Sequence, residues 1–244
     1  MKIFQIGFNK CGTASLYHFF KDNGFKSVHW RWGDKNNYKY VALEMKRNYE
    51  NNHPLLEGME EFDFYSDMES HLDGFDNEGD DYFPCVHAYI DYFKEIDRQY
   101  PNSKFILNIR NVNNWIESRR KHVFSSGRTY LGSCMHHMKM TKKEVLALWE
   151  NQWDTHINNV LEYFKHRPDD MLLFNIEEGD NGIRIKNFLS EDLNREQYFG
   201  LDVSRWKQHN QGLQSLFQSL IPTTENVKKD KRGRVVLWHR EDLQ

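Results

Sequence analysis

Cysteines and long apolar runs are scarce in this sequence. Its 244 residues include only three cysteines, Cys11, Cys85 and Cys134, which are widely spaced and form no C-x-x-C pair. An odd and scattered set argues against a disulfide scaffold and favours reduced thiols in a cytosolic protein. No apolar run reaches the roughly 18 residues that a membrane-spanning helix needs, and the mean hydropathy is −0.85. A transmembrane segment is therefore not expected.

An excess of charge of one sign is also missing. The 33 Lys and Arg residues nearly balance the 36 Asp and Glu residues, for a net charge of −3, so nucleic acid is not an expected partner. The first residues, Met1–Gly7, are strand-like and lack the features of a secretion signal, which favours a cytoplasmic location. No repeat or composition shift divides the chain. We expect one domain over residues 1–244, with a basic C-terminal segment at 225–244.

Enough apolar residues are present for a sizeable core, since 39% of the chain is hydrophobic and 15% aromatic. Short apolar runs predict strands at 3–7, 25–30, 61–67, 104–110 and 171–176. Helical spacing predicts helices at 13–23, 38–52, 88–100, 113–124, 141–166 and 182–189. Strands that alternate with helices are typical of an α/β protein. We expect three layers, in which helices flank a central parallel sheet of about five strands.

The motif that carries chemistry lies between the first predicted strand and the first predicted helix, where residues 7–16 read GFNKCGTASL. A tight turn that enters a helix N-terminus directs backbone N–H groups and the helix dipole at one point. Gly12 allows close approach, Lys10 supplies a cation, and Thr13 and Ser15 supply hydroxyls. The pattern predicts a phosphate-binding loop.

This loop differs from the one that binds nucleoside triphosphates with magnesium. That motif requires a lysine directly after the second glycine, whereas Thr13 follows Gly12 here and the lysine is Lys10, inside the loop. The strong central strand ends in Arg110 rather than in a metal-binding aspartate. A triphosphate with bound magnesium is thus a poor fit.

A second phosphate-binding pattern follows about ninety residues later. The run FILNIR ends at Arg110, and Ser118 follows eight residues further on, within the next predicted helix. A guanidinium at the end of a strand can clamp a phosphate through two hydrogen bonds, and a hydroxyl near the next helix can share that phosphate. An arginine at the end of a strand and a serine in a helix are each common by themselves. The glycine loop followed by this Arg–Ser pair forms a specific combination.

Together the two motifs resemble those of the P-loop sulfotransferases, which use 3′-phosphoadenosine-5′-phosphosulfate (PAPS) as the sulfuryl donor. The resemblance covers about residues 1–190 and is closest to a bacterial-type, cytosolic branch of the family. It implies a P-loop-like fold, a PAPS-binding site without a metal, and adenosine 3′,5′-bisphosphate as a product. By this resemblance the donor-binding residues are Lys10, Cys11, Gly12, Thr13, Ala14, Ser15, Arg110 and Ser118, with Arg232 and Gly233 of the C-terminal segment closing over the 3′-phosphate.

In this scheme Lys10 stabilises the charge that develops on the leaving phosphate. A hydroxyl acceptor also needs a general base, for which we favour His29 at the end of the second predicted strand, followed by Asp67. The basic run at 119–121 is interpreted as a solvated helix face.

Alternatives remain open at this stage. The same loop would suit a nucleotide or metabolite kinase, or a non-catalytic module that only binds a nucleotide. A small molecule, a carbohydrate or a lipid headgroup would each serve as acceptor, because acceptor loops vary independently of the donor site. The segments at 31–60, 68–87 and 125–140 are the candidates for the acceptor surface, and the sequence leaves the oligomeric state undetermined.

Overall fold

The computed structural model describes residues 1–70, 85–124, 127, 129–190 and 200–208, together with the backbone of 228–229 and 235–236. The strands are β1 (Ile3–Gln5), β2 (Ser27–His29), β3 (Arg31–Asp34), β4 (Asn37–Tyr40), β5 (Phe64–Ser66), β6 (Glu69–Ser70), β7 (Val86–His87), β8 (Lys104–Ile109), β9 (Met171–Asn175), β10 (Lys228–Lys229) and β11 (Val235–Val236). The helices are α1 (Thr13–Asp22), α2 (Val41–Glu50), α3 (Ala88–Asp91), α4 (Phe93–Gln99), α5 (Val112–Lys121), α6 (Tyr130–Met138), α7 (Lys142–Phe164) and α8 (Gly182–Ser190).

The main sheet has the strand order β4-β3-β2-β5-β1-β8-β9. Its strands β2, β5, β1, β8 and β9 run parallel to one another, which confirms the predicted five-stranded parallel sheet. The strands β3 and β4 extend the β2 edge as an antiparallel hairpin. Two smaller antiparallel pairs are formed by β6 with β7 and by β10 with β11.

Side chains that alternate along each parallel strand build a core on both faces of the sheet. In β1, Ile3 packs with α1 and α8, whereas Phe4 packs on the opposite face with residues of α2 to α7. In β8, Phe105 and Leu107 pack on the same face as Phe4, whereas Ile106 packs on the same face as Ile3. The protein therefore has the predicted α/β fold, with helices on both faces of the sheet.

The carboxyl ends of the parallel strands meet at one edge of the sheet, where ligands bind in open α/β folds. The strand β1 leads into the loop of the first motif, β2 ends at His29, β5 is followed by Asp67, and β8 is followed by Arg110. The topology thus brings the two motifs and both candidate bases to the same edge.

Two predicted helices differ from the structure, and one helix of the structure was not predicted. The predicted helix at 38–52 begins only at Val41, because Tyr40 pairs with Arg31 in the β3–β4 hairpin. The predicted helix at 88–100 is interrupted at Tyr92, which separates α3 from α4. Helix α6 was not predicted; its first turn is capped by Thr129, whose hydroxyl accepts a hydrogen bond from the amide of Gly132. No helix within the described segments has both the length and the apolar character to cross a bilayer.

Candidate active site

The loop between β1 and α1, residues 7–12, closely contacts the strands beside it. A Cβ atom at Gly7 would lie 2.1 Å from the carbonyl oxygen of Asn108, and one at Gly12 would lie 2.4 Å from Cδ1 of Ile176. Gly12 also has φ +87°, which only glycine adopts readily. It precedes α1, whose first turn has no side-chain cap. The amides at the start of α1 are therefore arranged to bind an anion.

Asn108, buried in β8, fixes the shape of this loop. Its Nδ2 donates to the carbonyl oxygens of Phe8 at 3.1 Å and Cys11 at 3.0 Å. Its Oδ1 accepts from the amide of Gly7 at 3.0 Å and also from the side chain of Gln5. Asn108 thus forms four hydrogen bonds, and those with Gly7, Phe8 and Cys11 attach the loop to β8.

Two aromatic side chains hold the loop from the helical layer. The indole Nε1 of Trp115 on α5 donates to the carbonyl oxygen of Asn9 at 3.1 Å. The Nε2 atom of His156 on α7 lies 2.6 Å from the carbonyl oxygen of Ile6 and donates to it. Burial lowers the pKa of His156 to about 4, so this ring is neutral near pH 7 and carries its proton on Nε2.

Lys10 lies at the turn of the loop, with φ +62° and a partly buried side chain. Its Nζ is 3.0 Å from Nδ1 of His122, the residue after α5. Burial lowers the pKa of Lys10, and the carboxylates of Asp67 and Glu69 oppose that shift. Burial and the Lys10 charge both lower the pKa of His122. A neutral His122 therefore accepts a hydrogen bond from the ammonium and fixes its position.

His29 faces the start of α1 and the end of β5. Its Nε2 is 3.3 Å from Oγ1 of Thr13 and 3.5 Å from Oδ2 of Asp67. Burial lowers the pKa of His29 to about 4, so the ring is neutral near pH 7. The amide of Asp67 donates to Oε1 of Gln5 at 2.7 Å, which connects this pair to the network beneath the loop. Both candidate bases thus lie beside the first motif.

Arg110 connects the second motif to the first. Its Nη1 donates to the carbonyl oxygen of Lys10 at 3.0 Å, and its Nε donates to Oε1 of Glu177 at 2.9 Å. Glu177 also accepts from the amide of Asn111 at 2.8 Å. The carboxylate thereby orients the guanidinium, and Arg110 reaches the backbone of the loop. Ser118 is half-buried on α5, which begins two residues after Arg110.

The remaining predicted residues differ in what they present to this site. The side chain of Cys11 is buried, and burial raises the pKa of its thiol, so its thiol group presents nothing to this site. Thr13 and Ser15 are buried, whereas Ala14 is half-buried. Arg232 and Gly233 lie outside the described residues. Within the described segments, no group of three or more His, Cys, Asp and Glu side chains is placed to hold a metal ion.

The interpretation of residues 119–121 as a solvated face is wrong for Arg119. Its side chain is 1% exposed and forms an ion pair with Glu69, which is fully buried. The hydroxyl groups of Tyr89 and Tyr130 also donate to this carboxylate. The Arg119 guanidinium lies 5.1 Å from the Trp115 ring, within cation–π distance. Burial without a charged partner would be costly for this arginine, and Glu69 supplies that partner.

Sequence reasoning missed the side chains that support the site, namely Asn108, Trp115, His122, His156 and Glu177. Asn108 left the clearest signal, because it is a polar residue inside an otherwise apolar strand, FILNIR. A polar group buried in a sheet needs hydrogen-bond partners, and here those partners belong to the loop. The other four come from α5 and the residue after it, from α7 and from the segment after β9, and no local pattern connects them to the loop.

Comparison with known proteins identifies a family. A family model described as a sulfotransferase domain matches residues 2–183. That interval includes the β1–α1 loop, both candidate bases, Arg110 and its partner Glu177, and it ends in α8. No curated protein matches the chain.

Proposed function

The chain belongs to the sulfotransferase family, and from that premise we propose that it transfers the sulfuryl group of PAPS to a hydroxyl or amine acceptor. The products are a sulfated acceptor and adenosine 3′,5′-bisphosphate. One observation carries the choice of donor: the Arg110 guanidinium donates to the carbonyl oxygen of Lys10 at 3.0 Å. This hydrogen bond joins the two phosphate motifs, far apart in sequence, and supports the proposal that they bind one donor molecule.

The residues on the loop side fit the 5′-phosphosulfate end of the donor. The uncapped start of α1 offers backbone amides, and the missing Cβ of Gly12 leaves the turn in the conformation that aims them. Thr13 and Ser15, in the first turn of α1, are assigned as hydroxyl donors to the same end. Helix N-termini of this kind bind phosphate well. Arg110 and Ser118 are assigned to the 3′-phosphate, which distinguishes PAPS from ATP.

Lys10 supplies the positive charge for the transfer itself. As the bond between sulfur and the bridging oxygen breaks, negative charge grows on the 5′-phosphate, and the Lys10 ammonium stabilises that charge. His122 accepts a hydrogen bond from the ammonium at 3.0 Å, so it positions the catalytic lysine. Positioning and charge stabilisation account for most of the catalysis in the related case of phosphoryl transfer.

His29 is assigned as the general base for a hydroxyl acceptor. Its ring is neutral near pH 7 because burial lowers its pKa to about 4. As the acceptor oxygen forms its bond to sulfur, the hydroxyl proton passes to His29, and the carboxylate of Asp67 at 3.5 Å stabilises the resulting imidazolium. Asp67 serves as the alternative base.

Calorimetry with adenosine 3′,5′-bisphosphate tests the assignment directly. We expect binding without added metal, and loss of that binding in Arg110→Ala to a larger extent than loss of AMP binding. Lys10→Ala is expected to abolish transfer from labelled PAPS, whereas Lys165→Ala, a surface lysine paired with Glu162, serves as the matched control.

Two results would contradict the proposal. A larger thermal stabilisation by ATP with magnesium than by the bisphosphate nucleotide would indicate a kinase. Binding of the bisphosphate nucleotide with no turnover of any acceptor in a broad panel would indicate a non-catalytic binding module.

A further inference from the structure

An arginine with unused hydrogen-bond donors lies beside the candidate active site. The Arg31 guanidinium carbon is 4.5 Å from the centre of the Trp30 ring and 3.8 Å from the centre of the Tyr38 ring. The two rings fix the plane of the guanidinium. In the part of the chain that the structure describes, no carboxylate pairs with Arg31 and no acceptor takes its N–H groups. The edge of the guanidinium therefore keeps its donors.

The β2–β3 turn places this arginine next to His29. Arg31 is the first residue of β3, and its Cα partner in the antiparallel pair is His29, the last residue of β2. Side chains of directly opposite residues lie on the same face of a sheet, about 5 Å apart at Cβ. The Nε2 atom of His29 lies 3.3 Å from Thr13 on that face. The register of the sheet thus makes Arg31 the direct neighbour of the candidate base.

A second cation, Lys21, is connected to His29 through the Tyr17 ring. The Tyr17 ring centre is 5.4 Å from that of His29, and Nζ of Lys21 is 5.4 Å from the Tyr17 ring. Lys21 is exposed, so its charge acts mainly over distance. Arg31 and Lys21 thus add positive charge around the candidate base, opposite in sign to the Asp67 carboxylate that lies 3.5 Å from His29.

We propose that the acceptor carries a carboxylate in addition to its reactive hydroxyl, and that Arg31 binds this carboxylate. The inference rests on the proposed function, because it assumes that His29 faces the acceptor. A planar guanidinium matches a carboxylate through two parallel hydrogen bonds, and stacking on Trp30 and Tyr38 removes the entropic cost of orienting it. A lysine lacks this fork, so the residue type favours an anion that presents two oxygen atoms, as a carboxylate does.

The test uses pairs of hydroxyl acceptors that differ only in having a carboxylate or a carboxamide. Suitable pairs come from phenols, hexuronates and hydroxy fatty acids, assayed with saturating PAPS. We expect kcat/KM to favour the carboxylate at least tenfold, roughly the value of a charge-assisted hydrogen-bond pair. In Arg31→Gln the two members become nearly equal, and in Arg31→Lys the preference is intermediate. The matched control is Arg47→Gln, on α2, where the arginine pairs with Glu44.

Each outcome decides the proposal. Equal use of both members by the wild type, a preference for the carboxamide, or a preference that survives in Arg31→Gln would overturn the role of Arg31. Binding of the bisphosphate nucleotide, measured in parallel, separates this failure from failure of the proposed function. If the wild type binds the nucleotide but shows no carboxylate preference, only the acceptor assignment is lost. If it binds no nucleotide, or sulfates no acceptor, both are lost.

Discussion

Replacement of Asn108 by alanine tests whether this side chain shapes the β1–α1 loop. The variant loses four hydrogen bonds, with Gly7, Phe8, Cys11 and Gln5. At about 1 kcal/mol for each bond, the free energy of unfolding should fall by about 4 kcal/mol. The loop amides would then have to be ordered by the ligand, so we expect the Kd for adenosine 3′,5′-bisphosphate to rise at least tenfold.

Asn48 provides a matched control for this experiment. It is also buried, and its Nδ2 donates to the carbonyl oxygens of Leu55 at 3.1 Å and Glu57 at 2.9 Å, in a loop after α2. Asn48→Ala should lower the free energy of unfolding by about 2 kcal/mol, from two lost bonds, and leave the nucleotide Kd unchanged. Urea unfolding measures the stability of each variant, and calorimetry measures nucleotide binding under conditions where both are folded.

Two results would refute the reasoning. If Asn108→Ala unfolds like the wild type, the four bonds do not stabilise the native loop. If the variant is destabilised but binds the nucleotide as tightly as Asn48→Ala does, the loop keeps its shape without Asn108. Should Asn108→Ala fail to fold, Asn108→Ser is the replacement, because its hydroxyl retains part of the hydrogen bonding.

Two further predictions concern the loop and its support. Gly12→Ala should lower the free energy of unfolding by more than about 1 kcal/mol and also weaken nucleotide binding, because it adds a Cβ atom 2.4 Å from Ile176 at a residue with φ +87°. Gly58→Ala is the control for the backbone conformation alone, since Gly58 has φ +79° and its added Cβ would meet no atom within 4 Å. Equal losses in the two variants would mean that the contact with Ile176 is unimportant. The pKa of His156 in the folded protein is about 4, below its ordinary value of 6.5. Between pH 6.5 and pH 4 this imidazole is therefore protonated only in the unfolded chain, so the free energy of unfolding falls as the pH drops through that range. His156→Gln, which keeps a donor for Ile6, should reduce that slope in urea unfolding at pH 4.5 to 7, and parallel profiles would contradict the assignment.

Much of the fold was predictable from local patterns. Buried parallel strands are continuous apolar runs, and FILNI in β8 and MLLFN in β9 show this clearly. The helix predicted at 141–166 begins, as α7, with a capping box formed by Thr141 and Glu144, a pattern of two residues three positions apart. Such features depend on neighbouring residues, so they can be recognised without knowledge of the tertiary contacts.

The hairpin and the buried arginine were not predictable in this way. Tyr38 and Tyr40 fit a helical pattern with the residues that follow, but the pairing of Arg31 with Tyr40 keeps this segment extended. The charge run at Arg119 is typical of an exposed helix, yet Glu69 reaches it from a strand fifty residues earlier. In both cases a partner distant in sequence decided the outcome.

The amino-acid sequence by itself determined the order of strands and helices, the glycine turn before α1, and the positions of Lys10 in that turn and of Arg110 at a strand end. Short-range sterics and apolar spacing control these features. Only the tertiary structure decided that Arg110 reaches the carbonyl oxygen of Lys10, that Asn108 holds the loop, and that His122 contacts the lysine. These contacts join residues about a hundred positions apart, and they exist only once the parallel sheet has brought the ends of its strands to one edge.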